Sequence, residues 1–368
     1  MNKDRIISQF LDYIRIESPS YKEGNFAKVL KEDLEKIGFE VIVDDSGVKA
    51  NSDTGNLIGY LKGNKNVEPI MFCAHMDTVT PCENIEPIIE DGIIKSKGNT
   101  ILSADDKAGI VAILEGIRHI KENNIAHGDI EVVFTICEEV GLYGSKYLDY
   151  SRLKSKMAFV LDASGEIGGV NVQGPAQTQI HAKIHGKAAH AGLSPEKGIS
   201  AIQVAARAID NMNLLRIDEE TTANVGTIKG GLATNIVADY VEVEFESRSL
   251  VEEKLNNQVK HMVYTLSKAA KDFDAKVDIV VENSYPTFKL ANDEAILKII
   301  EKAMNKVDIP YMPKPTGGGS DTNIFNGKGL KAATLGIGMF NAHSVDEYIA
   351  TKDIIKTAEL VSAIIESI

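Results

Sequence analysis

Residues 70–74, Ile-Met-Phe-Cys-Ala, form an unbroken apolar run that leads directly into His75-Met-Asp77. A strand with one wet face alternates apolar and polar residues. A run without alternation fits a strand buried on both faces, and so a largely parallel sheet with helices on either side. The imidazole and carboxylate at its end have no packing use there. Histidine is a common zinc ligand, and a carboxylate behind it can orient the ring. Taken alone, His75-x-Asp77 reads equally well as a solvated strand end.

The pattern recurs along the chain. The apolar run 129–137 ends in Glu138-Glu139, and 157–161 ends in Asp162. The run 331–337 leads to Asn341-Ala-His343, and Asp105 lies in a loop ahead of a helix predicted over 107–121. Further helices are predicted at the N-terminus, over 25–37, from 293 to about 306, and from 351 to the end. Strands are predicted at 40–43 and 56–61. Alternation of this kind implies an α/β layer.

Between residues 178 and 290 the pattern changes. Strand 178–185, helix 200–215, strands 223–228 and 235–246, helix 251–273 and strand 276–282 follow in the order β-α-β-β-α-β, the ferredoxin-like arrangement. The expected fold is therefore a mixed, mostly parallel α/β sheet with helices on both faces. It is built from residues 1–177 and 291–368 as a catalytic domain, with 178–290 inserted as an α+β lid or dimerisation domain. Insertions sit at exposed loops, and ligands commonly bind between such halves.

Net charge is −13 with no Lys/Arg block, which excludes nucleic acid and anionic membrane as principal partners. Charges interspersed among Ile6, Ile7, Phe10, Leu11 and Ile14 fit an amphipathic helix rather than a signal-peptide core, and no run has the length of a membrane span. Cys73, Cys82 and Cys137 are too few and too irregular for a disulfide framework, so a reducing cytoplasm is expected.

His75, Glu138, Glu139, Asp162 and His343 all fall at or just past strand ends. In open α/β sheets ligands bind at the carboxyl edge, so these groups can converge with Asp105. One such terminus is ordinary; several together fit metal-assisted hydrolysis, in which two divalent ions share a bridging carboxylate. Two imidazoles and four acids supply such a pair and leave one acid over as a general base.

Quoted in order, His75-Met-Asp77, Ser-Ala-Asp105-Asp-Lys-Ala-Gly, Glu138-Glu139-Val-Gly, Asp162 and Ala-His343-Ser-x-x-Glu347 resemble the motif series of the dinuclear zinc exopeptidase and amidohydrolase family. The likeness runs over essentially the whole chain and is most similar to the peptidase T branch. The resemblance implies that Asp105 bridges two zinc ions, with Co²⁺ or Mn²⁺ as alternatives. It implies that His75 and Asp162 complete one ion, and Glu139 and His343 the other. Glu138 would be the base, and Asp77 would hold the His75 tautomer. In the inserted domain His190 resembles a residue that reaches the reacting carbonyl from a partner subunit, Arg248 one that clamps a substrate carboxylate, and Asn235 a substrate contact. Ser320 and Asp321, in a glycine-rich loop, would approach the substrate backbone.

The expected activity is hydrolysis of short peptides, as a tripeptide aminopeptidase acting as a homodimer. Cleavage of N-acyl amino acids, a carboxypeptidase, or a non-catalytic metal- or peptide-binding module are the alternatives. Bland readings remain beside the lid residues: His190 as an exposed loop histidine, and Arg248 as an ion pair with Glu244 or Glu246. His119, His127, His181, His185 and His261 are expected to be structural.

Overall fold

A computed structural model describes residues Met1–Ile368. The chain divides into two compact units. One comprises Met1–Val172, Lys289–Pro315 and Ser320–Ile368; the other comprises Gln173–Phe288 with Thr316–Gly319.

The centre of the larger unit is a sheet in which Ile70–His75 lies between Ile130–Thr135 and Met157–Ala163, with Lys331–Gly336 beyond, all four parallel. Leu57–Leu61 and Glu40–Val43 continue it antiparallel on the far side of Ile130–Thr135. The central strands are buried on both faces, as their unalternating sequence requires. Met71 and Cys73 pack on one face with Val133, Val160 and Phe325, and Phe72 meets the Phe159 ring at 5.6 Å. Register sets His75 opposite Thr135 and Cys73 opposite Val160, so these strands end together at one edge.

Helix Ala104–Glu122 is buried from Ala104 through Ile117, which is why its sequence shows little amphipathic contrast. Small residues let its neighbours close in. A Cβ on Gly116 would lie 2.6 Å from Val361, on the helix Thr351–Ser367. A small antiparallel sheet of Pro87–Glu90, Ile93–Ser96, Tyr348–Ala350 and Met339–Phe340 holds the loop that carries His343.

The second unit has strands Thr221–Gly230, Tyr240–Ser249, Ala176–His185 and Lys276–Tyr285, adjacent in that order and antiparallel throughout. Helices Ala201–Asp210 and Glu252–Asp272 cover one face. Ile180, Ala182 and Ile184 alternate into that core, leaving His181 and His185 on the other face as strand residues rather than helical ligand pairs. This is the ferredoxin-like order. The unit begins at Gln173 rather than at 178 and takes in Thr316–Gly319.

Two expectations need correction. The first helix of this unit ends at Asp210 instead of 215. Gln258 and His261 on the second helix capture the Asn213 carbonyl and amide, and Leu215–Arg216 becomes a short strand. Asn235 lies ahead of the strand that begins at Tyr240, where its carbonyl accepts the Ala191 amide at 3.0 Å.

Candidate metal centre

His75 ends its strand, and a hydrogen bond of 2.8 Å joins its Nδ1 to the Asp77 carbonyl. A carbonyl only accepts, so Nδ1 carries a proton and Nε2 is the nitrogen turned toward the acidic side chains. That Nε2 lies 3.0 Å from Asp105 Oδ1 and 3.6 Å from Asp162 Oδ1. The other Asp105 oxygen, Oδ2, lies 3.3 Å from His343 Nε2, which is 2.9 Å from Glu139 Oε2. Asp105 thus divides its two oxygens between two imidazoles, and each imidazole has its own further carboxylate.

Asp77 does more than its expected task. Its carbonyl, not its carboxylate at 3.6 Å, is the nearest partner of the ring. The carboxylate instead accepts the Glu138 amide at 2.9 Å and the Glu139 amide at 3.2 Å. It thereby links the first strand end to the Glu138–Glu139 turn.

The loop before Asp105 is tied to the His343 loop by Glu347, whose carboxylate accepts the amides of Leu102, Ser103 and Asp105 at 2.7, 2.9 and 3.0 Å. Glu347 closes the Ala-His343-Ser-x-x-Glu347 motif, and its partners are all backbone amides. Ser103, Cys137, Asn341 and His343 all have φ between 50° and 65°. Non-glycine residues in that left-handed region cost energy and gather where geometry serves function.

Electrostatics follow from the crowding. Burial drives Asp162 up to about 7 and pushes Glu138 and Glu139 upward. Hydrogen bonds to Asp105 and Glu139 raise His343 to about 10. Burial alone would lower His75, but its bonds to Asp105 and Asp162 lift it well above its ordinary value. Buried carboxylates outnumber the imidazoles that could offset them, which is costly without a cation. Glu139 Oε1 and Asp106 Oδ1 are buried with no hydrogen-bond partner. One ligand atom from each of His75, Asp105 and Glu139 falls within 4.8 Å of the others, as does one from each of His75, Asp106 and Asp162. Such a donor set of oxygen and imidazole nitrogen fits divalent metal ions.

The remaining candidates fall elsewhere. Asp321 is buried, accepting the hydroxyls of Thr135 at 2.6 Å and Ser145 at 2.5 Å. Both its oxygens are thus engaged beneath the sheet edge rather than turned to an open loop. Ser320 caps the short helix Asp321–Gly327, accepting the Thr322 amide. In the second unit the Arg248 guanidinium is paired with Glu246 through two contacts near 3 Å. His190 is exposed, and its Nδ1 accepts the amides of Gly192 and Leu193, leaving the proton on Nε2.

The model of peptidase family M20/M25/M40 matches residues 71–367. The chain belongs to that family. It is 42% identical to the crystallised aminopeptidase PepT of Bacillus cereus, covering 100% of this chain and 99% of that one with a TM-score of 0.91. It is 39% identical to a tripeptidase of Staphylococcus aureus, over 100% and 98% of the two chains, TM-score 0.95. Peptidase T of Escherichia coli is 26% identical over 99% of this chain and 98% of its own. This M20 chain is a peptidase T-like metallopeptidase with the family's mostly parallel sheet. Members of the family are dinuclear metal enzymes. No helix of the chain is long and apolar enough to cross a membrane.

Proposed function

We propose that this M20 chain is a tripeptide aminopeptidase that releases the N-terminal residue of short peptides. The observation that carries the reading is the division of Asp105 between His75 and His343. On that basis His75 and Asp162 would hold one divalent ion and Glu139 and His343 a second, with Asp105 serving both. Zinc suits the donors best, with Co²⁺ and Mn²⁺ as substitutes. Bound there, such ions would supply Lewis-acid chemistry, polarisation of a carbonyl and acidification of water.

Glu138 is the acid left free by that assignment. Its amide is fixed by Asp77, and burial raises its proton affinity toward the range a general base needs at neutral pH. It takes the proton from the attacking water and returns it to the leaving amine. His190 Nε2–H is a donor suited to the carbonyl oxygen of the substrate in the partner subunit of a homodimer built through the Gln173–Phe288 unit. Asn235, adjacent to it in the loop pairing, is a further substrate contact. Arg248 would meet a substrate carboxylate only by sharing its guanidinium with Glu246. The cytoplasm, where short peptides accumulate as degradation products and thiols stay reduced, is the compartment that fits.

Purified protein with Zn²⁺ or Co²⁺ is to be offered dipeptides, tripeptides, N-blocked peptides and N-acyl amino acids, beside Glu138→Ala. Turnover of tripeptides with free N-termini, lost by about 10²–10⁴-fold in the variant, is the expected result. Turnover of N-acyl amino acids alone would replace this reading with an amidohydrolase. Absence of metal-dependent turnover on every substrate would leave a binding module.

A further inference from the structure

We propose that residues 16–23, ahead of the part of the chain that the family model matches, form a brace for the catalytic turn, with Glu23 and Ser20 as positioning residues for Glu138 and Glu139. The inference rests on the reading of Glu138 as base and Glu139 as ligand given above.

The segment has no regular structure beyond an isolated bridge of Pro19 to Thr78, yet it touches three of the loops that deliver the site. At its start the Ile16 carbonyl accepts Lys107 Nζ at 2.6 Å, just past Asp105. That ammonium is fully buried and also lies over the Phe26 ring. Next, the Ser18 carbonyl accepts the Thr78 amide at 3.0 Å, and Ser18 Oγ donates to the Met76 carbonyl at 2.8 Å. The backbone on both sides of Asp77 is thereby held. Ser20 Oγ then donates to Asp77 Oδ2 at 2.6 Å. Last, the fully buried Glu23 accepts the Cys137 amide at 2.9 Å through Oε1 and the Ser52 hydroxyl at 2.8 Å through Oε2.

The consequence lies in the pattern of amides. Cys137, Glu138 and Glu139 are consecutive, and their three N–H groups go to Glu23, Asp77 and Asp77 in turn. Cys137 has φ 50°, a conformation that needs outside support. Two buried carboxylates, one within the brace and one held by it, therefore fix the turn that aims the base and the ligand. Carboxylates bound to backbone amides are strong acceptors, and such charge-assisted hydrogen bonds are shorter and stronger than neutral ones.

The test compares Glu23→Ala, Glu23→Gln and Ser20→Ala with Glu131→Ala. Glu131 is another buried carboxylate that accepts backbone amides, those of Lys154 and Ser155, but it lies outside the brace and the site. Readouts are kcat and KM on a tripeptide, the visible spectrum of the Co²⁺-loaded protein, and the thermal midpoint. Glu23→Ala should lower kcat by about 10–100-fold, with KM within about two-fold, and should alter the Co²⁺ spectrum. Glu23→Gln keeps Oε1 as acceptor for Cys137 and can donate Nε2 to Ser52, so it should restore kcat to within about three-fold of wild type. Ser20→Ala, which removes one hydroxyl, should cost at least about three-fold in kcat. Glu131→Ala should lower the midpoint and leave kcat and spectrum unchanged.

A Glu23→Ala protein with wild-type kcat and spectrum overturns the brace, as does one that changes only in the way Glu131→Ala does. If Glu23→Ala does not fold, Ser20→Ala decides by the same readouts. If the wild type hydrolyses no peptide, the functional reading fails, and the Co²⁺ spectra alone still decide for or against the brace.

Discussion

At the scale of single residues, Glu347 illustrates how a site is held by groups that never face the substrate. Its carboxylate gathers three amides of the loop leading to Asp105 while belonging to the loop that carries His343. Glu347→Ala should leave the fold intact and weaken metal affinity by about 10–100-fold, as removal of groups behind metal ligands commonly does; competition against a chelator measures it. The proposed ligands were legible in the sequence because so few residue types hold zinc, and because all but Asp105, which sits in a loop ahead of a helix, follow apolar runs. Glu347 and Glu23 were not, because their partners are backbone amides, which every sequence offers. The surroundings of Asp321 were hidden for a related reason. Three glycines suggested an open loop, whereas Ser320-x-x-Asn323 is a capping box that turns Asp321 inward.

Elements obey the same division between pattern and contact. Unbroken apolar runs announced the parallel strands, and alternation announced the ferredoxin-like sheet. The hairpin Pro87–Glu90 with Ile93–Ser96 was passed over although its turn is Asp91-Gly92, with φ of 50° and 78°. Asp-Gly between short strands is a readable signal for that turn type. The helix Ala104–Glu122 offers a test in which two effects oppose one another. Replacing Gly116 with Ala gains about 1 kcal/mol of helix propensity. The new Cβ, however, would stand 2.6 Å from Val361 and 3.0 Å from the Ala358 carbonyl. Backbone cannot rotate away, and overpacking costs about 1–3 kcal/mol. Gly116→Ala should therefore lower the urea midpoint despite its better propensity.

For the molecule as a whole, all five proposed ligands and Glu138 lie in the larger unit, and His190 in the smaller. The Leu290 amide donates to the Val172 carbonyl at 2.8 Å, so the larger unit's chain ends meet where it leaves and returns. Replacing residues 173–288 with a short flexible linker should give a protein that still binds Co²⁺, seen in its visible spectrum, but hydrolyses no peptide. The proposed homodimer makes a separate prediction. If His190 serves the partner's centre, Glu138→Ala and Glu138-intact His190→Ala chains are each inactive as pure dimers. Mixed after subunit exchange, they should regain activity, since each mixed dimer contains one site with both groups. Mixtures no more active than their components would place His190 elsewhere.

The order in which the donors occur along the chain has a consequence for biosynthesis. His75, Asp105, Glu139 and Asp162 precede the whole second unit, whereas His343 follows it. Chains emerge from the ribosome N-terminus first, and their domains fold in that order. A stalled or truncated product therefore holds the acidic pocket without its second imidazole. Its carboxylates repel one another with half their compensation missing. On the proposed ligand set, the second ion's site would become complete only when synthesis has passed through the whole second unit and reached His343.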